Sequence, residues 1–139
     1  MKCLIDTNVL ISASLFPNSI TAQAYYKAVT PPYTSVVCDY SIDELHRVYN
    51  KKFADKLYAL DSFMVLLLRT VKVIDTPSED ESIESEEAIR DLDDRPILRA
   101  AIKEEVDIII TGDKDFLESG LVEPHILNPS DFVNVWLEP

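Results

Sequence analysis

Four acidic residues carry the chemistry this chain offers. They are Asp6 in LIDTNVLIS, Glu44 in SIDELHRV, Asp94 in RDLDDRPIL and Asp113 in IIITGDKDFL. Asp6 is the most conspicuous, because it interrupts the apolar runs Cys3-Leu4-Ile5 and Val9-Leu10-Ile11. A carboxylate taken out of water costs several kcal/mol unless something compensates it. Carboxylates gathered together cost more: two about 4 Å apart repel by roughly 4 kcal/mol at an effective dielectric of 20. Such a cluster either takes up protons or binds a cation. All-oxygen ligands suit a hard ion, Mg²⁺ or Mn²⁺. Mg²⁺ uses only one or two carboxylates and keeps room for waters and phosphate oxygens. The chemistry to expect is therefore attack by an activated water on a phosphodiester.

The elements that must position these acids follow from the apolar spacing. Residues 2–12 read as a buried strand running into a turn, with the strand itself at 3–7. A helix is expected over 21–29, stopped by Pro31-Pro32, and a Val-rich strand over 34–38. Ser41 followed by Glu44 forms a capping-box pattern that opens a helix to about Lys52. Residues 54–69 continue with helical spacing, and 71–74 form a third strand. Residues 76–85 are polar and acidic without periodicity and read as a mobile loop, helical at most near its end. A helix over 96–105 is capped by Asp93 or Asp94. The β-branched run at 107–110 is typical of a parallel strand covered on both faces. Gly112 permits a tight turn into a short helix, 113–119, closed by Gly120. A strand at 125–127 follows, and Ser130 caps a last turn or helix over 131–137. Alternating strands and helices predict an α/β layer arrangement around a mostly parallel sheet. In such sheets ligands bind beyond the carboxyl ends of the strands, where strand order reverses. All four acids fall at that edge.

At 139 residues, 47% hydrophobic and 27% charged, the chain reads as one domain, 1–139, with ordinary globular usage. The longest apolar stretch, 63–68, is too short to span a bilayer, and no signal peptide is visible, so no membrane partner is expected. Cys3 and Cys38 sit in strand-like runs and read as free, buried thiols in a reducing cytoplasm. No His/Cys cluster suggests structural zinc. The net charge of −12 argues at first against a nucleic-acid partner. Ten acids and one base between Asp75 and Asp94 account for most of it, leaving a balance of only −3 elsewhere. Arg47, Lys51, Lys52, Lys56, Arg69 and Lys72 lie in a stretch with few acids, so a local basic face is compatible with the whole.

LIDTNVLIS, SIDELHRV with a following KKF, RDLDDRPIL and IIITGDKDFL, in that order and spacing, resemble the PIN domain (PilT N-terminus) family. The likeness is nearest to the single-domain toxin components of toxin–antitoxin pairs related to VapC, and it covers essentially the whole chain. The resemblance implies a three-layer α/β/α fold with sheet order 3-2-1-4-5 and a Mg²⁺- or Mn²⁺-dependent endoribonuclease acting on RNA. It implies catalytic, metal-holding roles for Asp6, Glu44, Asp94 and Asp113, supported by Asn8, Asp91, Thr111 and Asp115. It further implies a homodimer and a cognate antitoxin that blocks the site, for instance with an Arg among the carboxylates. One departure is Arg95, a cation where the group usually has an amide or acid.

Blander readings accompany each residue. Asp6 can hydrogen-bond its own turn, Glu44 can complete a capping box, and Asp94, Asp113 and Asp115 can cap helices. Arg47 and Lys51-Lys52 are ordinarily a solvated face. The Leu-rich stretch after Ala54 reads as core or dimer interface. Two other function classes remain: a haloacid-dehalogenase-like phosphatase or receiver domain, and a non-catalytic binding module. Asn8 stands where the phosphatase needs an acid, and the receiver pattern does not fit.

Overall fold

The apolar runs assemble into a parallel sheet at the centre of the molecule. A computed structural model describes residues 1–134. Its five strands are β1 (Lys2–Ile5), β2 (Thr34–Cys38), β3 (Lys72–Ile74), β4 (Ile108–Ile110) and β5 (His125–Leu127). They pair in the order β3-β2-β1-β4-β5, all parallel, with Leu4 opposite both Val36 and Ile109. Side chains alternate across a strand. Cys3, Ile5, Val37, Ile108 and Ile110 therefore pack to one face, and Leu4, Val36, Cys38 and Ile109 to the other.

The first face is covered by α1 (Thr7–Leu15), α2 (Ile20–Ala28), α3 (Asp39–Lys52), α4 (Leu57–Thr70) and α7 (Pro129–Asn134). The second is covered by α5 (Arg95–Lys103), by Phe116 of α6 (Lys114–Leu117) and by Ile89. This is the expected α/β/α sandwich, with order 3-2-1-4-5. Among the described residues no helix is long and apolar enough to cross a membrane. Both cysteines are free and buried, and burial pushes their thiols up to about 12.

Several local expectations are corrected. The strand over 3–7 ends at Ile5, and Asp6 is the N-cap of a helix over residues read as strand and turn. Val9, Leu10 and Ala13 are buried together, a helical rather than alternating pattern. The Ser41–Glu44 capping box does not form. The helix begins two residues earlier, at Asp39, and Ser41 is buried inside its first turn. The helical stretch from Ala54 divides into a 3-10 turn, Ala54–Lys56, and α4. The acidic segment is not featureless: it holds two 3-10 turns, Glu79–Glu81 and Glu84–Ala88. Gly112 has no positive φ, and a Cβ there would meet Asn8 Oδ1 only at 3.6 Å, so the turn does not require glycine. At the last helix Asn128, not Ser130, accepts the N–H of Asp131. Residues 135–137 of that expected helix lie outside the described residues.

Candidate metal centre

Because all strands run the same way, their carboxyl ends share one edge, and strand order reverses between β1 and β4. Asp6 leaves β1 at this point, and its N–H donates to Ile110 O at 3.0 Å. Its carboxylate is 4% exposed. Oδ1 accepts from the N–H of Thr7 at 2.8 Å; Oδ2 accepts from Thr111 Oγ1 at 2.8 Å and Asn8 Nδ2 at 3.2 Å. Burial raises its pKa to about 6 against these hydrogen bonds, and the charges of Asp113 and Glu44 add to the rise. Asn8 and Thr111 thus act as struts. Asn8 Oδ1 takes the Gly112 N–H at 3.0 Å, and Thr111 Oγ1 takes the Asp113 N–H at 3.0 Å.

Asp113 caps α6 by accepting the Asp115 N–H at 2.8 Å, so cap and cluster member are one residue. Asp94 occupies the cap position of α5 but makes no side-chain cap bond. Its carboxyl instead meets that of Asp113. Its Oδ2 is buried with no hydrogen-bond partner among the described residues. Burial first, then the Asp113 contact and the charges of Asp113, Asp6 and Asp91, raise Asp94 to about 8. Asp93 acts by its charge on Tyr40, beside Glu44, and it is Asp94 rather than Asp93 that groups with Asp91 and Asp115.

Glu44 stands one turn into α3, and its Oε2 accepts from the Tyr40 hydroxyl at 3.5 Å. Asp91, Asp94 and Asp115 form a three-carboxylate group, each offering an oxygen within 4.8 Å of the others. Among the described residues the acids grouped at this distance are therefore Asp94 and two expected supporting acids, without Asp6, Glu44 or Asp113. Asp115 is also held by Arg90, at 3.0 Å, which reaches on to Glu118 at 2.9 Å. Arg95 turns back to donate to Ile89 O at 2.9 Å, which ties it to the chain ahead of its own helix. Tyr40 and Arg90 were not anticipated. Tyr40 had a signal, four residues before Glu44 on one helix face. Arg90, 25 residues from Asp115, had none.

The sequence profile of the PIN domain family matches residues 2–115, a span that contains Asp6, Glu44, Asp91, Asp94, Asp113 and Asp115. The chain belongs to the PIN domain family. Among solved structures it is similar to VapBC2 of Rickettsia felis, crystallised on a DNA fragment from its promoter. There the TM-score is 0.66 at 18% identity, covering 92% of this chain and 98% of that one. It is also similar to VapC20 of Mycobacterium tuberculosis, a sarcin–ricin loop cleaving toxin. There the TM-score is 0.58 at 16% identity, over 87% and 97% of the two chains. No curated protein matches the sequence. At these identities the structural likeness speaks for the PIN fold. The local chemistry suits a cation: an all-oxygen donor set, two carboxyls raised by burial and by neighbouring acids, and one buried oxygen with no partner among the described residues.

Proposed function

We propose that the chain is a VapC-like, metal-dependent endoribonuclease. In this reading it is a single PIN-like domain, the toxin of a type II toxin–antitoxin pair, working in the cytoplasm as a homodimer. The observation that carries the reading is the unsatisfied Asp94 carboxyl pressed against Asp113, beside Asp6, at the switch point of the sheet. Asp6, Glu44, Asp94 and Asp113 would hold Mg²⁺ or Mn²⁺, with Asp91 and Asp115 in reach. The chemistry such an ion would supply there is polarisation of a phosphodiester and a lowered pKa for water. The chain's own work is to keep the carboxylates in place. Thr7, Thr111 and Asn8 fix Asp6, the Asp115 N–H fixes Asp113, and the Tyr40 hydroxyl steadies Glu44. No Ser-His-Asp or Cys-His set is needed, because hydrolysis by water requires no covalent intermediate. An anionic crevice of this kind also suits a blocking cation, such as an Arg of an antitoxin. The dimer is supported by α4, which exposes Leu57, Tyr58, Val65, Leu66 and Leu68.

Purified protein incubated with structured and single-stranded RNA is expected to cleave in Mn²⁺ or Mg²⁺ and to stop in EDTA. Asp6→Asn is expected to be inactive. Cleavage that survives both EDTA and Asp6→Asn would sink the metal mechanism.

Ion binding should also expel protons. At pH 7 a carboxyl with a pKa of about 8 is mostly protonated, and one of about 6 mostly is not. Calorimetry in buffers of different ionisation enthalpy is therefore expected to show roughly one proton released per site at pH 7 and almost none at pH 9. Release that does not fall with pH would mean the ion binds elsewhere.

A further inference from the structure

Tyr40, Glu44, Arg47 and Lys51 recur along α3 at steps of four, three and four residues, which places them on one helix face. Glu44 is near enough to Asp6 for its charge to raise that carboxyl. Arg47 and Lys51 lead away from it, about 4.5 and 10.5 Å further along the helix axis at the usual rise per residue. Glu44, Arg47, Val48, Lys51 and Lys52 line an open groove of about 310 Å³. Among the described residues Arg47, Lys51 and Lys52 are in no ion pair. Arg47 instead lies over the Tyr40 ring, its guanidinium carbon 5.7 Å from the centroid. The same Tyr40 reaches Glu44 with its hydroxyl. One aromatic side chain thereby fixes a carboxylate of the cluster and the first cation of the groove.

We propose that Arg47, Lys51 and Lys52 bind the phosphates of single-stranded RNA next to the scissile bond, and that Tyr40 is a positioning residue for Arg47. The proposal takes its substrate from the nuclease reading above. A polyanion entering the metal centre must approach a chain of charge −12, so it needs a cationic track that begins at the cluster. This groove supplies one. It is a stripe on one helix, and the exposed acids Asp43 and Asp55 lie close by in the sequence, so the cationic surface suits one phosphate chain better than two.

The test is fluorescence anisotropy of a labelled eight-nucleotide RNA in EDTA, where metal-dependent cleavage is absent. Arg47→Ala and Lys51→Ala are each expected to weaken binding about tenfold with unchanged melting temperature, since both side chains are exposed. The double variant should flatten the slope of log affinity against log salt by about 1.4, two contacts' worth. Arg47→Lys should recover most of the affinity. Tyr40→Leu, which keeps an apolar packing group, should match Arg47→Ala and add nothing to it; Tyr40→Phe should retain binding. Affinity unchanged in the double variant would overturn the proposal. So would a duplex, or a glutamate-rich peptide of equal charge, binding as tightly as the single strand. Binding and cleavage are separable: a strip that binds RNA in a protein that cuts nothing in Mn²⁺ sinks the nuclease reading alone. Cleavage intact in a protein whose binding ignores Arg47 and Lys51 sinks the strip alone.

Discussion

Asp94→Asn is expected to make the metal-free protein more stable while lowering RNA cleavage by about 10³-fold. The two effects have one cause. In the folded chain Asp94 faces Asp113, with one oxygen buried and unsatisfied, and its pKa rises from 3.8 to about 8. A carboxyl raised in this way binds its proton more tightly when folded than when unfolded. Its ionisation therefore costs stability above pH 8, and the cost fades as pH falls through about 8 toward 4. Asparagine keeps the shape, removes the charge and offers Asp113 an N–H. Asp94 is only half withdrawn from water, so screening limits the gain to about 1 kcal/mol, roughly 4 °C in melting temperature. The gain should be largest at pH 9, smaller at pH 5.5 and nearly absent only below about pH 4, where the carboxyl is neutral in the unfolded chain as well. Activity moves the other way because the amide is a poor ligand for a hard cation, and losing charge stabilisation at the reacting phosphate costs 10²–10³ or more. Scanning calorimetry in EDTA at three pH values and single-turnover cleavage in Mn²⁺ check both halves. A lower melting temperature at pH 9 would mean the carboxyls are not strained; cleavage within tenfold of wild type would remove Asp94 from the site.

Such a trade between stability and site chemistry explains which parts of the protein were legible in its sequence. Strands buried on both faces declare themselves by β-branched runs, and Thr34–Cys38 falls where expected. The same signal misled at residues 9–11. Val9-Leu10-Ile11 looks like a strand, yet the chain has just left the sheet, and Asp6 is a helix cap. The deciding residue was Ala13, whose burial completes a helical face but whose type signals nothing. Ser41 and Glu44 misled in the opposite way. They have the spacing of a capping box, but β2 runs straight into α3 and the hydroxyl goes inside.

At the site, residue types were legible and pairings were not. Four acids at the strand edge could be placed from topology alone, because parallel strands put their ends together. That Asp94 rather than Asp93 enters the cluster depends on helix phase at the start of α5, a matter of one residue. That Arg95 spends its guanidinium on Ile89 O, and Arg90 on Asp115 and Glu118, depends on how the acidic segment lies over the second face. Nothing in a linear reading of 76–94 says that this segment is anchored at all.

Its anchor is the site of the second large effect: Arg99→Met is expected to destabilise the protein by about 2–3 kcal/mol. Arg99 projects from α5 and grips Glu86 with two bonds, Nε to Oε2 at 2.9 Å and Nη2 to Oε1 at 2.8 Å. Its Nη1 donates to Pro77 O at 3.0 Å, and Glu86 Oε2 also accepts the Ile83 N–H at 3.2 Å. The side chains are only 5% and 8% exposed. Breaking one half of a deeply buried pair costs 3–5 kcal/mol, because the surviving charge is stranded. Glu86 keeps the Ile83 N–H as a partner when Arg99 is removed, so its stranded charge is partly compensated and the cost is smaller. The double variant Arg99→Met/Glu86→Leu removes both charges and should recover most of the loss. Acid supplies an independent check. The guanidinium holds the Glu86 carboxyl below its ordinary range. Its contribution is therefore full above the unfolded carboxylate pKa and disappears as pH falls through the lower folded value. The deficit of Arg99→Met should shrink accordingly when unfolding is followed from pH 7 to pH 3.5. Because Arg99 sits one turn into the helix that opens at Asp94, the single variant should also weaken cleavage, and the double variant should restore it. A double variant no more stable than the single would show that the segment is held by packing around Ile89 and not by this pair.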